Sequence, residues 1–168
     1  MRSVIVEGVD GTGKSTLAAH LAKKFGLRHM RNGPRPKNLI EARRYVNWQL
    51  LALRYGGYVV DRITPMSQVA YGACHGALNE DELHFFDESL NAMLIEQAVF
   101  IYCRTDRPKH TLEDYDDPDG AASVEPYIQE IMKAYEQRFA TFNMKPLVYD
   151  MNADPDYKDI DQHLRTVL

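Results

Sequence analysis

A glycine-rich segment directly follows the first apolar run of the chain. Val4, Ile5 and Val6 form a short run without polar alternation, which is typical of a strand covered on both faces. The next segment, GVDGTGKST from Gly8 to Thr16, matches the pattern GxxxxGK[ST] in the strand-then-helix setting that this pattern requires. In such a loop, backbone N–H groups and the N-terminus of the following helix surround phosphate oxygens. We therefore predict that residues 8–16 form a phosphate-binding loop, called the phosphate loop below.

Two residues of the phosphate loop have individual roles. Lys14 is expected to pair with the β- and γ-phosphates of ATP, and Ser15 is expected to offer its hydroxyl to Mg²⁺. The alternative is a glycine-rich helix start in which the lysine has no role in phosphate binding. Because the loop fixes only how the donor is held, ATPases, GTPases, motors and small-molecule kinases all remain open. The residues expected to bind ATP are Gly8, Asp10, Gly11, Thr12, Gly13, Lys14, Ser15 and Thr16.

Short apolar runs alternate with helical patterns along the rest of the chain. Residues 57–60, 98–102 and 147–149 are further β-rich runs without polar alternation, and residues 27–30 are a weaker candidate for an extra strand. This alternation implies right-handed crossovers between parallel strands. We expect an α/β fold with about five strands in a mostly parallel sheet, helices on both faces, and ligands at the carboxyl ends of the strands.

Three helix ends can be predicted from local signals. Gly26 is placed to stop the first helix, which carries apolar residues at helical spacing. Asn79, with Glu82 three residues later, resembles a capping box at the start of a long helix. Asp154 and Pro155 are expected to start the last helix.

Composition excludes several classes of protein. The chain has 168 residues, 45% of them hydrophobic and 26% charged, and 20 Lys and Arg against 24 Asp and Glu give a net charge of −4. These values argue against disorder and against a general nucleic-acid-binding surface. Cys74 and Cys103 lack metal-ligand or redox spacing, so we expect reduced, buried thiols and a cytoplasmic location. No leader segment, membrane span or membrane partner is expected.

An acidic and a basic residue end the apolar run at residues 57–60. Asp61 and Arg62 should lie beside the phosphate loop at the carboxyl edge of the sheet. There, Asp61 could hold a Mg²⁺-bound water, and Arg62 could clamp a second phosphate through its planar fork. The alternative is an ordinary salt bridge at the end of a strand.

The combined motifs resemble the thymidylate kinases and their relatives among nucleoside monophosphate kinases. The matching segments are VEGVDGTGKST in the phosphate loop, then DR at residues 61–62, then SQVAYG at residues 67–72. The resemblance implies one P-loop nucleotide kinase domain over residues 1–168, with a lid at about residues 104–123. It further implies that Asp10 approaches the acceptor sugar, that Arg62 grips the acceptor phosphate, and that Tyr71 lies over the acceptor sugar.

Further basic residues could complete the acceptor side. Arg35, in a loop bounded by prolines, could assist Arg62. Arg44 and Trp48 share one face of the second helix and could contact a base, although surface packing is the commoner role of such a pair.

The expected lid begins basic and then turns acidic. In the resembling family, members without an arginine in the phosphate loop place basic residues in the lid. Arg107 is the first candidate for the catalytic cation and Arg104 the second, with Lys109 nearby. The alternative is a solvated basic turn balanced by the acidic residues that follow.

Three functions remain at this stage. The leading one is ATP-dependent phosphorylation of a nucleoside monophosphate, with dTMP or another deoxynucleotide as acceptor. A deoxynucleoside kinase is the alternative and would need a carboxylate base such as Glu7 or Asp61 near the 5′-hydroxyl. The third is a nucleotide-binding module without efficient transfer; the chain lacks the NKxD segment of GTPase switches. ATP and the acceptor are the expected small-molecule partners, and homodimer formation is left open.

Overall fold

A computed structural model describes residues 1–104 and 124–168 of the chain. Strands and helices alternate in it as the apolar runs predict. A short 3₁₀ turn, Glu125–Tyr127, precedes the helix that begins at Ile128. In chain order the elements are β1 (Val4–Gly8), α1 (Lys14–Phe25), β2 (Arg28–Arg31), α2 (Leu39–Tyr55), β3 (Tyr58–Asp61), α3 (Thr64–Ala70), α4 (Gly72–His75), α5 (Glu80–Ile95), β4 (Val99–Cys103), α6 (Ile128–Thr141), β5 (Leu147–Tyr149) and α7 (Lys158–Val167).

The five strands form one sheet in the order β2-β3-β1-β4-β5, and every pair in it is parallel. The expected sheet is confirmed, and the weak candidate at residues 27–30 forms the edge strand β2. Val6 of β1 lies opposite Asp61 of β3, and Gly8 lies opposite Cys103 of β4. The carboxyl ends of the three central strands therefore meet at the start of the phosphate loop.

Helices cover both faces of the sheet, as expected. On one face, α2, α3, α5 and α6 pack against side chains such as Ile5, Val60 and Tyr102. On the other face, α1 and α7 pack against Val4 and Val59. Strands buried on both faces explain why their sequences lack polar alternation.

Local signals placed two of the three predicted helix ends correctly. Gly26 ends α1 with a left-handed φ of 67°, and Asn79 and Glu82 form the reciprocal capping box of α5. The predicted start of the last helix at Asp154 is wrong, because the helix begins at Lys158. Asp154 nevertheless caps it, since its carboxylate accepts the backbone N–H of Lys158 at 2.8 Å and of the next two residues.

Two short helices between β3 and α5 were not predicted. α3 has seven residues and α4 has four, too few for a helical repeat to be visible in the sequence. Pro65 in the first turn of α3 is the one signal of a helix start there.

The two cysteines differ in their surroundings. Both thiols are free; Cys103 is buried as expected, whereas Cys74 is only half-buried, so that part of the prediction is wrong. Within residues 1–104 and 124–168, no helix is both long and apolar enough to cross a membrane.

Candidate functional site

The phosphate loop leaves the end of β1 through a tight turn that only glycine fits. Gly8 has φ of 142°, and a Cβ atom there would lie 2.3 Å from the Cys103 carbonyl oxygen of the neighbouring strand. Gly11 and Gly13 also have positive φ, at 78° and 79°. The glycines of the motif thus allow the chain to turn sharply from the central strand into α1.

Two side chains of the loop fold back onto its backbone. The Lys14 ammonium donates to the Val9 carbonyl at 2.8 Å, and the Thr12 hydroxyl donates to the same oxygen at 2.7 Å. Burial lowers the pKa of Lys14, and the nearby Arg62 lowers it further, while Asp10 opposes that shift. A buried ammonium at the mouth of a helix suits the binding of an anion.

The residues that follow Lys14 are more accessible. Ser15 and Thr16 lie in the first turn of α1, and both are exposed. Asp61 ends β3 with 6% exposure, and its negative charge favours the charged form of Lys14. The structure therefore brings Asp61 to the phosphate loop, as the topology predicts.

Arg62 reaches across the end of the sheet to the phosphate loop. Its guanidinium is ion-paired and hydrogen-bonded to the Asp10 carboxylate. It also approaches the Gly8 carbonyl at 3.5 Å and donates to the Tyr71 hydroxyl at 2.5 Å. The ion pair of Arg62 is thus made with the loop, and not with its neighbour Asp61 as the salt-bridge alternative required.

Tyr71 closes this group of three side chains. Its hydroxyl donates to Asp10 Oδ2 at 3.1 Å, and its ring lies under the Arg62 guanidinium at 4.9 Å from the ring centre. We call Asp10, Arg62 and Tyr71 the acceptor cluster. Sequence resemblance assigned all three to acceptor binding, and the structure brings them together although they are up to 61 positions apart.

The charges in the acceptor cluster are strongly coupled. Burial acts to raise the pKa of the Asp10 carboxyl, but Arg62 and Lys14 outweigh it and lower that pKa to about 2. Burial raises the pKa of the Tyr71 hydroxyl well above its usual value. At neutral pH the cluster therefore holds an ionised carboxylate, a guanidinium and a neutral phenol.

The backbone of Arg62 is held in an unusual conformation. Its φ is 68°, in the left-handed region that residues with a Cβ rarely adopt. Gln49 of α2 brackets the turn: its Nε2 donates to the Arg62 carbonyl at 3.3 Å, and its Oε1 accepts the Thr64 N–H at 2.9 Å. Between them, the Ile63 N–H donates to Glu7 Oε1 at 2.6 Å.

Sequence analysis did not identify the contribution of Gln49. A signal was present, because Gln49 lies on the buried side of α2 in line with Ala42, Val46 and Leu53. A polar residue on an otherwise apolar helix face needs partners inside the protein.

Glu7 lies beneath the same turn and is fully buried. Burial raises its pKa to about 7, although the Ile63 N–H and Arg62 act in the opposite direction. The nearby Tyr135 hydroxyl also acts to lower this pKa. Glu7 is therefore a structural carboxyl of the core rather than a group open to solvent.

Of the other predicted acceptor residues, only some reach the acceptor cluster. Arg35 donates to the His75 carbonyl at 3.4 Å, and the His75 ring stacks on Tyr71 with centres 6.0 Å apart. Arg44 is exposed on α2, and Trp48 on the same helix is 66% exposed. The structure thus brings Arg35, but not the pair on α2, to the edge of the cluster.

The predicted lid is described only at its first residue. Arg104 is half-exposed, and its Nε lies 3.4 Å from Glu136 Oε1 of α6. Arg107 and Lys109 lie outside the described residues.

Comparison with known proteins gives relatives of the fold. No protein-family model matches the chain, and no curated protein matches its sequence. The YorR protein from Bacillus subtilis, solved in complex with phosphorylated GDP, has a TM-score of 0.66 and 19% identity over 97% of this chain and 95% of its own. Deoxyadenosine kinase from M. mycoides, solved with the products dCMP and a flexible dCDP, has a TM-score of 0.65 and 15% identity over 99% of this chain and all of its own. The same kinase with bound dATP has a TM-score of 0.56 and 17% identity over 98% of each chain. This protein therefore has the α/β fold of P-loop kinases.

Proposed function

We propose that this protein transfers the γ-phosphoryl group of ATP to a nucleoside monophosphate, with dTMP or another deoxynucleotide as the acceptor. The observation that carries the proposal is the location of Arg62. Its guanidinium contacts the phosphate loop directly, and its side chain is 21% exposed, so part of it is open to an incoming anion. A kinase whose acceptor already carries a phosphate needs such a second anion clamp facing the first.

Lys14 and Arg62 bind different substrates in this proposal. The phosphate loop and Lys14 hold the β- and γ-phosphates of ATP, and Arg62 holds the acceptor phosphate in line with them. Asp10 and Tyr71 then contact the acceptor sugar. In the reaction an anionic acceptor oxygen forms a bond to the γ-phosphorus, and the bond from that phosphorus to the bridging oxygen breaks, which leaves ADP. No proton has to be removed from the acceptor.

Without ligand, Arg62 is paired with Asp10, whose carboxylate also lies 3.5 Å from the Lys14 ammonium. A phosphate that binds Arg62 competes with this carboxylate, and a bidentate contact favours the phosphate because it makes two parallel charge-assisted hydrogen bonds. Asp10 is then free to accept from a sugar hydroxyl. The ion pair thus keeps the guanidinium correctly aimed before the acceptor arrives.

The residues at the phosphate loop suit Mg²⁺. The exposed Ser15 hydroxyl and the Asp61 carboxylate are hard oxygen donors, and Mg²⁺ usually combines one or two such ligands with substrate phosphates and water. When bound with ATP, the ion would offset charge on the β- and γ-phosphate oxygens. Ser15 would contact it directly and Asp61 through a bound water.

A deoxynucleoside kinase is the second candidate, and the structural likeness to deoxyadenosine kinase favours it. An alcohol acceptor must lose a proton, so this function needs a carboxylate base within reach of the hydroxyl. Glu7 is fully buried and engaged with the Ile63 N–H, and Asp61 is 6% exposed. Glu7 is thus closed off from an acceptor, and Asp61 is assigned here to the Mg²⁺-bound water, which is why we favour the monophosphate.

A panel of nucleosides and monophosphates incubated with ATP and Mg²⁺ tests the proposal through ADP formation. We expect a deoxynucleoside monophosphate to give the fastest turnover, with the diphosphate as product. Faster turnover with a nucleoside would contradict the proposal and support the second candidate. ADP formation that no acceptor stimulates would exclude both.

We further infer that the chain forms a homodimer through α2. Four large apolar side chains, Ile40, Trp48, Leu51 and Tyr55, are 44–82% exposed along one outer stripe of this helix, with Arg44 among them. In an antiparallel pair of α2 helices about a two-fold axis, Ile40 of each copy would face Tyr55 of the other, so the apolar ends of the stripe would cover each other. Light scattering of the wild type and of Trp48→Glu tests this: we expect a dimer and a monomer, respectively. A monomeric wild type would contradict it.

A further inference from the structure

A buried glutamine contacts the turn that carries Arg62. Gln49 is 3% exposed and uses both ends of its side-chain amide. Its oxygen accepts the Thr64 N–H at 2.9 Å, and its nitrogen donates to the Arg62 carbonyl and to Asn32 Oδ1, both at 3.3 Å. One side chain of α2 therefore joins the backbone on both sides of Ile63 to the end of β2.

The turn needs this support because of its conformation. A left-handed backbone at a residue with a Cβ persists only where the surroundings enforce it, and the φ of Arg62 is 68°. The backbone dihedrals set the direction of the Cα–Cβ bond, and with it the direction in which the side chain leaves the chain. Relaxation of this φ to an ordinary value would turn the guanidinium away from the phosphate loop.

We propose that Gln49 is a positioning residue for the acceptor clamp: its hydrogen bonds hold Arg62 in the left-handed conformation that aims the guanidinium at the phosphate loop. The inference rests on the proposed function, since it assigns Gln49 to the acceptor half of that reaction. It goes beyond a structural role for a buried amide, because it predicts an effect of Gln49 on the acceptor KM that depends on Arg62.

Gln49→Met and Gln49→Glu test the two hydrogen-bonding ends of the side-chain amide: methionine removes both, and glutamate removes only the donor. Methionine fills similar volume without hydrogen bonds, whereas glutamate keeps an acceptor for the Thr64 N–H but loses the donor to the Arg62 carbonyl. Both should raise the KM of the acceptor about tenfold, the size expected for loss of an aligned charge-assisted contact, and leave the KM of ATP within about twofold. Asn47→Met, on the exposed side of α2, is the matched control and should change neither.

A double-mutant cycle with Arg62→Ala then tests how Gln49 acts. Once Arg62 is absent, Gln49→Met should produce no further rise in the KM of the acceptor. An equal rise in the two backgrounds would show that Gln49 acts independently of Arg62 and would overturn the proposal.

A second readout does not depend on turnover. Because Arg62 is a main cause of the low pKa of the Asp10 carboxyl, displacement of its guanidinium should let Asp10 titrate at higher pH. Carbon-13 NMR of the carboxyl groups between pH 3 and 6 should show little titration of Asp10 in the wild type and a clear titration in the uncharged variant Gln49→Met and in Arg62→Ala.

These outcomes distinguish failure of the inference from failure of the proposed function. If no monophosphate is phosphorylated but Asp10 titrates at higher pH in Gln49→Met, Arg62 positioning is supported and the acceptor assignment is wrong. If Gln49→Met folds but leaves both the Asp10 titration and the acceptor KM unchanged, Gln49 has only a structural role. Circular dichroism establishes folding, and the KM of Gln49→Glu remains informative should Gln49→Met fail to fold.

Discussion

The donor and acceptor halves of the site are built in different ways. In the phosphate loop, the side chains of Thr12 and Lys14 bond to Val9, three and five positions away. In the acceptor cluster, the bonds from Arg62 and Tyr71 to Asp10 span 52 and 61 positions. The donor half is thus encoded in one continuous segment, while the acceptor half exists only after the strands have paired.

The two halves also differ in how their charge is balanced. Lys14 is buried, donates to the Val9 carbonyl and lies 3.5 Å from Asp10 Oδ1, so all of these partners belong to the loop itself. Arg62 pairs with the same carboxylate from a neighbouring strand end, and it is held by a turn that Gln49 and Glu7 support from inside the core. Substitutions in the donor half should therefore affect transfer itself, and those in the acceptor half should affect acceptor binding or stability.

Lys14→Ala tests the donor half and should have the largest effect. Loss of one cation from a closed phosphate site typically reduces kcat by about 100- to 1,000-fold. Lys23, exposed at the other end of α1, provides the matched control Lys23→Ala. Steady-state kinetics together with circular dichroism would check this, and near-normal kcat in a folded Lys14→Ala protein would contradict the role of the loop.

Glu7→Gln tests the core support of the acceptor half through pH. The pKa of Glu7 is about 7 in the folded protein against 4.5 for an ordinary glutamate, so the folded state retains a proton that the unfolded chain releases between these values. The free energy of unfolding should therefore fall as pH rises from about 4.5 to 7, by up to about 3 kcal/mol. Glutamine cannot ionise and should remove this loss.

Urea unfolding at a series of pH values measures the effect. The stability of Glu7→Gln relative to wild type should increase across this window and level off above pH 7. Glu130→Gln, an exposed position on α6, should follow the wild type throughout. Parallel curves for Glu7→Gln and wild type would mean that Glu7 is not buried as a protonated carboxyl.

Arg104→Ala tests whether the start of the predicted lid supplies a cation to the site. If Arg104 supplies a cation to the transferring group, its loss should lower kcat about tenfold with little change in either KM. Glu136→Gln removes only the ion pair that Arg104 makes with α6 and should leave kcat unchanged. Equal effects of the two substitutions on kcat would mean that Arg104 acts only through its ion pair with Glu136.

Features encoded by adjacent residues could be predicted from the sequence. The phosphate loop, the Gly26 helix end and the Asn79 capping box depend on neighbours within a few positions. The start of the last helix was misplaced because Tyr157 adopts a left-handed φ of 61° just before it, and no local signal marks that conformation. Asp154, predicted as the start of this helix, instead lies before it and accepts the backbone N–H of Lys158.

The acceptor half could be predicted only in part. Resemblance to a known family indicated Asp10, Arg62 and Tyr71, but no sequence pattern indicated their mutual hydrogen bonds. The supporting contacts of Gln49 were missed because they depend on how α2 packs over the turn after β3. Periodicity shows that Gln49 faces the core, but it does not show what lies there.

The central claim, that Arg62 clamps an acceptor phosphate, is tested most directly by the kinetics of Arg62→Ala and Arg62→Lys. A bidentate contact of this kind contributes about 1.5 to 3 kcal/mol, so Arg62→Ala should raise the KM of the monophosphate about 10- to 100-fold and leave the KM of ATP within about twofold. Arg62→Lys keeps the charge without the planar fork, so its KM for the monophosphate should lie between those of the wild type and Arg62→Ala. A larger rise in the KM of ATP than in that of the monophosphate, or an unchanged KM for the monophosphate, would contradict the account.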